Sequence, residues 1–183
     1  MQRLARWLLR LRGWKVIGSL PPDIKKFVVI AAPHTSNWDF PTTLIAAIAL
    51  HIRAKWMGKK ALFQFPFGGL MRALGGIAVD RTKHTNMVEY AANLLKTSER
   101  LGLIIPVEGT RSKSSKWKTG FYYIACAAEV PIVCGFMDYT KKEVGIGLIL
   151  IPTGDIHVDI VKLRDVYSGI QGKYPEQTAP VEI

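Results

Sequence analysis

At 183 residues, with 49% apolar and 21% charged side chains, the chain has the composition of one folded domain and not of a disordered segment. Lysine and arginine number 25 against 14 acidic residues, a net charge of +11 and a pI near 9.8, which points to an anionic partner. The two cysteines, Cys126 and Cys134, form no CxxC pair and have no ligand-like histidine spacing, so neither a disulfide framework nor a zinc site is suggested, no metal is expected, and buried free thiols in a reducing compartment are the expectation.

In chain order, residues 2 to 17 place Leu4, Trp7, Leu8, Leu11 and Trp14 on one helical stripe, with Arg3, Arg6 and Arg10 opposite and Arg12 and Lys15 on its flanks. Two readings stay open for this helix. It lies in the interface of an anionic membrane, tryptophans at headgroup depth, or it packs on the core with its arginines solvated. The best apolar run, Leu44 to Leu50, is far short of a membrane span. Arg10, Arg12 and Lys15 interrupt the apolar core that a signal peptide needs, so the chain is expected to remain cytoplasmic, peripheral on the inner face of the membrane, without a transmembrane span.

Beyond Pro21-Pro22, short apolar strands alternate with amphipathic helices. Strands are predicted at 27–32, 54–57, 77–79, 102–107, 131–137 and 145–151. Helices are predicted at 41–52, 67–74, 85–99, 120–128 and 160–170, the last capped by Asp159. This alternation predicts an α/β fold, a single domain with a mostly parallel β-sheet flanked by helices and preceded by an amphipathic N-terminal helix. The expected division is 1–17 for that helix, 18–171 for the domain and 172–183 for a poorly ordered polar tail.

Sites in parallel sheets lie beyond the carboxyl ends of the strands, and His34, Asp80 and Glu108 each follow a predicted strand. His34 stands five residues before Asp39 across the turn-forming Ser36-Asn37, which lets the carboxylate reach the ring. An imidazole takes a proton from a hydroxyl near neutral pH, and a carboxylate on its other nitrogen fixes the tautomer and stabilises the imidazolium. The plainer reading makes Asp39 a helix N-cap before Phe40-Pro41 and His34 an ordinary loop residue. Glu108-Gly109-Thr110-Arg111-Ser112 supplies glycine amides, hydroxyls and a guanidinium fork, donors that suit a phosphate. Gly75-Gly76-Ile77-Ala78-Val79-Asp80-Arg81 and Val130-Pro131-Ile132-Val133 complete four blocks.

In this order the four blocks resemble the glycerolipid acyltransferase family, of the 1-acylglycerol-3-phosphate acyltransferase type. His34 to Asp39 matches its H-x4-D motif, Gly76 to Arg81 its glycine-strand-Asp-Arg block, Glu108 to Ser112 its E-G-T-R-S motif, and Val130 begins its V-P block. Val107 stands where the family usually has proline before the glutamate, and Cys134 where a second proline usually follows the V-P block, which bears on the acceptor and acyl pockets.

The resemblance implies a glycerol-3-phosphate acyltransferase-like fold and acyl transfer from acyl-CoA or acyl carrier protein to a hydroxyl of a lysolipid. Catalysis would rest on His34 and Asp39, with no acyl-enzyme and no cofactor beyond the donor itself. Arg111, Thr110 and Gly109 would hold the acceptor phosphate with Lys59, Lys60 and Arg81, and Glu108 would orient Arg111 or bind an acceptor hydroxyl. Asp80 is expected to be structural. Phe63, Phe65, Phe67, Leu70 and Met71 are candidates for an acyl channel. The chain is short for the family, so Met1 to Ile17 is expected to serve as its anchor on an anionic membrane surface.

A non-glycerophosphate hydroxylated lipid remains an alternative acceptor, and a non-catalytic membrane-docking module an alternative function. Ser36, Cys126 and Cys134 are nucleophiles only in principle, since no G-x-S-x-G elbow is present. No nucleic-acid partner is expected, because no reader motif appears and the basic cluster is interleaved with apolar residues.

Overall fold

The computed structural model describes residues 1–79, 86–109 and 115–183. The strands are β1 (Lys15–Ile17), β2 (Lys26–Ala32), β3 (Ala54–Lys59), β4 (Gly76–Val79), β5 (Leu101–Pro106), β6 (Ile132–Asp138) and β7 (Glu143–Leu150). The helices are α1 (Gln2–Leu11), α2 (Asp39–Ala49), α3 (Gly68–Ala73), α4 (Met87–Thr97), α5 (Gly120–Ala128) and α6 (Ile156–Tyr167). One seven-stranded sheet has the order β1-β7-β6-β2-β5-β3-β4. β6, β2, β5, β3 and β4 run parallel; β7 is antiparallel to β6, and β1 is parallel to β7. The fold is the expected α/β arrangement.

β2 sits at the centre because it is apolar on both faces. Val28 and Ile30 join Leu103, Ile132 and residues of α4, α5 and α6 in the larger core. Phe27 and Val29 alternate onto the other face with Val133 and Ile146. Fully burying a valine- or isoleucine-sized side chain contributes roughly 1.5 to 3 kcal/mol. A strand covered on both sides therefore reads as an unbroken hydrophobic run. α2 covers the second face, where Ala46 and Ala49 pack with Val144.

The N-terminal segment is tied to this domain. Ala5 and Leu9 of α1 are buried with Ala46 and Ala49 of α2, while Leu4, Trp7, Leu8 and Leu11 stay exposed. The helix thus packs on the core by a narrow face of Ala5 and Leu9 and turns the Leu/Trp stripe outward. Trp14 lies beyond its end and is buried, so it does not extend the stripe. Residues 15–17, expected as the end of the helix, form β1; Gly145 of β7 allows this pairing, since any side chain there would run into the Ile17 carbonyl.

Two further expectations are corrected. The last helix begins at Ile156, capped by Asp155, whose carboxylate accepts the His157 amide at 2.9 Å. Asp159 is instead buried and accepts from the Tyr122 hydroxyl at 2.8 Å and the Thr153 amide at 2.7 Å. The tail from residue 172 is packed: Ala179 enters the main core and the Trp117 amide donates to the Glu182 carbonyl at 2.7 Å.

Candidate active site

β2 and β5 are neighbours, with Ala31 opposite Pro106, so the residues just beyond them meet at one rim. His34 follows β2 after the cis Ala32-Pro33 peptide, and Glu108 follows β5 after the buried Val107. Gly109 then turns at φ 68°, a left-handed conformation suited to glycine. Glu108 is only 3% exposed, and both its oxygens accept the His34 backbone N–H, at 3.1 and 3.0 Å. Its carboxylate therefore fixes the peptide that carries the histidine. Burial pushes the Glu108 carboxyl up to about 7, against the opposing pull of that amide.

Asp39 is the first residue of α2, not its cap; Trp38 holds the cap position. The Asp39 side chain folds back over the turn. Oδ2 accepts the Thr35 and Ser36 amides at 2.9 and 2.8 Å and faces His34 Nδ1 at 3.1 Å. Oδ1 accepts the Tyr139 hydroxyl at 2.8 Å. Burial alone would raise this carboxyl, yet the hydrogen bonds from His34, Ser36 and Tyr139 outweigh it and hold Asp39 below the usual carboxylate range. An ionised carboxylate only accepts, so the proton of the His34–Asp39 bond sits on Nδ1 and Nε2 is left as the basic nitrogen.

Tyr139 has no counterpart in the four sequence blocks. It is the first residue beyond the carboxyl end of β6, the same position that His34 approaches after β2 and Glu108 after β5. That rule could have found it; spacing could not, since 100 residues separate it from Asp39. Its ring meets Trp14 edge-on at 5.0 Å, and Lys142 lies over both rings.

Two apolar cavities of about 60 and 190 Å³ adjoin His34 and Asp39 on the α2 face of the sheet. Ala46, Leu50 and Ile146 help to line the first; Phe40, Leu44, Trp56 and Met57 help to line the second. The residues offered from sequence as candidates for an acyl channel do not line these cavities. Phe63 is buried against Trp56, Phe65, Phe67 and Leu70 are exposed, and none of these or Met71 lines either cavity.

Lys59 and Lys60 stand at the carboxyl end of β3, exposed, with β5 between that strand and β2. Asp80, Arg81, Thr110, Arg111 and Ser112 lie outside the described residues. The possible nucleophiles are unsuited to attack: Ser36 Oγ is buried and accepts the Trp38 amide at 3.2 Å, and burial pushes the Cys134 thiol up to about 12 and raises Cys126 as well. No group of three or more potential metal ligands occurs among the described residues.

Comparison with known proteins gives the family and the fold. The 1-acyl-sn-glycerol-3-phosphate acyltransferase of Escherichia coli (strain K12) is 28% identical over 157 residues, covering 79% of this chain and 63% of that protein. Its Salmonella typhimurium counterpart is 30% identical over 158 residues with the same coverage. The chain thus spans 63% of the length of these curated relatives. The crystal structure of the 1-acyl-sn-glycerophosphate (LPA) acyltransferase from Thermotoga maritima shares the fold, with a TM-score of 0.66 over 92% of this chain and 76% of that one at 19% identity. The family model described as "Acyltransferase" matches residues 15–137, from β1 through His34, Asp39 and Glu108 to the end of β6, and the chain belongs to that acyltransferase family.

Proposed function

We propose that this chain transfers an acyl group from an acyl thioester, carried by coenzyme A or acyl carrier protein, to a hydroxyl of a lysophosphatidate-like acceptor. The observation that carries the reading is the 3.1 Å contact of His34 Nδ1 with an Asp39 carboxylate already held by two amides and a tyrosine, beside two apolar cavities. His34 remains 25% exposed while Asp39 is buried, the distribution that a base and its orienting acid require.

In this mechanism Nε2 takes the acceptor hydroxyl proton as the oxygen attacks the thioester carbonyl carbon. The C–O bond forms and the carbonyl electrons move onto oxygen; their return breaks the C–S bond, and the imidazolium gives its proton to the leaving thiolate. Asp39 stabilises the imidazolium throughout, and no covalent acyl-enzyme forms. The cavities would hold the acyl chain. Lys59, Lys60 and the Gly109 amide, with Arg81, Thr110 and Arg111, would bind the acceptor phosphate. α1, with its outward Leu/Trp stripe and arginines, would seat the enzyme on the anionic inner face of a membrane. No described helix is long and apolar enough to cross one.

Thiol release from acyl-CoA and acyl carrier protein across a panel of lysolipids tests the proposal. His34→Ala should abolish turnover while keeping the thermal transition, and full activity of the purified variant would refute the mechanism.

A further inference from the structure

The 3-10 turn Lys60–Phe63 and the segment that links it to α3 carry the most exposed aromatic residue of the described chain. Phe65 is 97% exposed, Phe67 65%, Leu70 54% and Leu62 50%. These side chains are held outward by an ordered base. Phe63 is buried with its ring 5.7 Å from Trp56, the Gly68 amide donates to the Gln64 carbonyl at 2.8 Å, and the Arg72 guanidinium lies over Phe63. Leu62, Phe65, Phe67 and Leu70 thus expose four large apolar groups within nine residues of the turn and α3, which calls for a partner.

Charge identifies that partner. Between Asp39 and Asp80 the sequence holds no acidic residue, while Arg53, Lys55, Lys59, Lys60 and Arg72 fall in this stretch. Lys59 and Lys60 lead into the turn and Arg72 lies over Phe63 at its base, all three exposed. Exposed aromatics beside a cluster of cations match a bilayer with anionic headgroups, apolar tips among the acyl chains and cationic groups at the phosphates. Position supports the same partner. The turn leaves the carboxyl end of β3, parallel through β5 to the strand that delivers His34, and its Phe63 base packs on Trp56, which lines the larger cavity beside His34 and Asp39.

We infer that Phe65-Pro66-Phe67, with Leu62 and Leu70, is a second membrane-inserting element, separate from α1, that places the cavity wall at Trp56 against an anionic bilayer. α1 packs on α2, and the turn reaches the start of α2 through Phe63, Trp56 and Phe40, so a bilayer that takes up both elements meets the enzyme at two points and sets its orientation. The consequence for substrate access rests on the acyltransferase reading; the surface itself does not.

The experiment uses the full chain and its Phe65→Ser/Phe67→Ser double variant. Co-sedimentation is measured with vesicles of mixed phosphatidylglycerol and phosphatidylcholine and with vesicles of phosphatidylcholine alone. The double variant should partition onto the anionic vesicles about tenfold less than the parent. It should keep the parent's thermal transition, because the replaced side chains are exposed, and stay within about twofold of its thiol-release rate on detergent-dispersed acceptor. Partitioning within twofold of the parent would overturn the inference. So would a concentration-dependent dimer, seen by sedimentation velocity, that the double substitution dissolves, since that would make the patch a protein interface. A parent without acyl transfer that still loses vesicle binding on substitution would refute the enzymatic reading and leave this surface standing.

Discussion

Glu108→Gln should change how stability depends on pH, not merely its level. Burial raises the Glu108 carboxyl from 4.5 to about 7. At about 1.4 kcal/mol per pH unit, that difference is worth about 3 kcal/mol in favour of the protonated native state. Between these two values the native protein keeps a proton that the unfolded chain has released, so stability falls as pH rises through the window and levels above it. Glutamine cannot titrate, yet its carbonyl can still accept the His34 amide. The variant should therefore gain on the parent by about 3 kcal/mol between pH 4 and pH 8, or roughly 6 to 12 °C in melting temperature for a domain of this size. Calorimetry at half-unit pH intervals makes the measurement. Parallel curves for parent and variant would show that the Glu108 carboxylate is not the strained acid that its 3% exposure implies.

Asp39→Asn keeps the shape but offers a mixed donor and acceptor to the Thr35 and Ser36 amides and to Nδ1; kcat should fall by two to four orders of magnitude with little change in KM, read by thiol release. Tyr139→Phe removes one hydrogen bond to the Asp39 carboxylate, and a bond to a charged group is worth roughly 1.5 to 3 kcal/mol, so kcat should drop by roughly tenfold or more while the fold persists. Within α1 the two faces should separate: Leu9→Ala should cost about 2 to 5 kcal/mol of stability in urea titration without weakening vesicle binding, whereas Trp7→Ser should do the reverse.

The sheet was legible because its strands are short apolar runs set between helical periodicities, and β2, buried on both faces, reads as an unbroken one. β1 was not legible. Its three residues alternate around a single half-buried valine, and their pairing depends on Gly145, 128 residues away from Ile17 in sequence. The start of α6 was missed for a related reason: two aspartates four residues apart both suit a cap, and only the tertiary partner Tyr122 draws Asp159 into the core and leaves Asp155 to cap. The helical stripe of α1 was visible, but which side met the core was not. Ala5 and Leu9 face the core because Ala46 and Ala49 of α2 leave room for the Leu9 side chain beside a close approach at Ala5, a preference set by the partner helix.

The site divides along the same line. His34 and Asp39 are close in sequence, and the turn between them made their meeting predictable. Glu108 reaches His34 only because β2 and β5 are neighbours, so its role as an acceptor for the His34 amide could not be read from its own motif. Tyr139 depends on β6 lying on the other side of β2. His34 is therefore held from three strands: β2 carries it, β5 fixes its peptide and β6 supplies the tyrosine on its Asp39 partner. Each contact lies one to two residues past a strand end at Pro106 or Asp138, where the backbone has left the ladder and the side chains are free to converge. Strand order, set by core packing, thus decides which polar residues reach the histidine, and an exchange of neighbours in the sheet would dismantle the site while leaving every motif in the sequence intact.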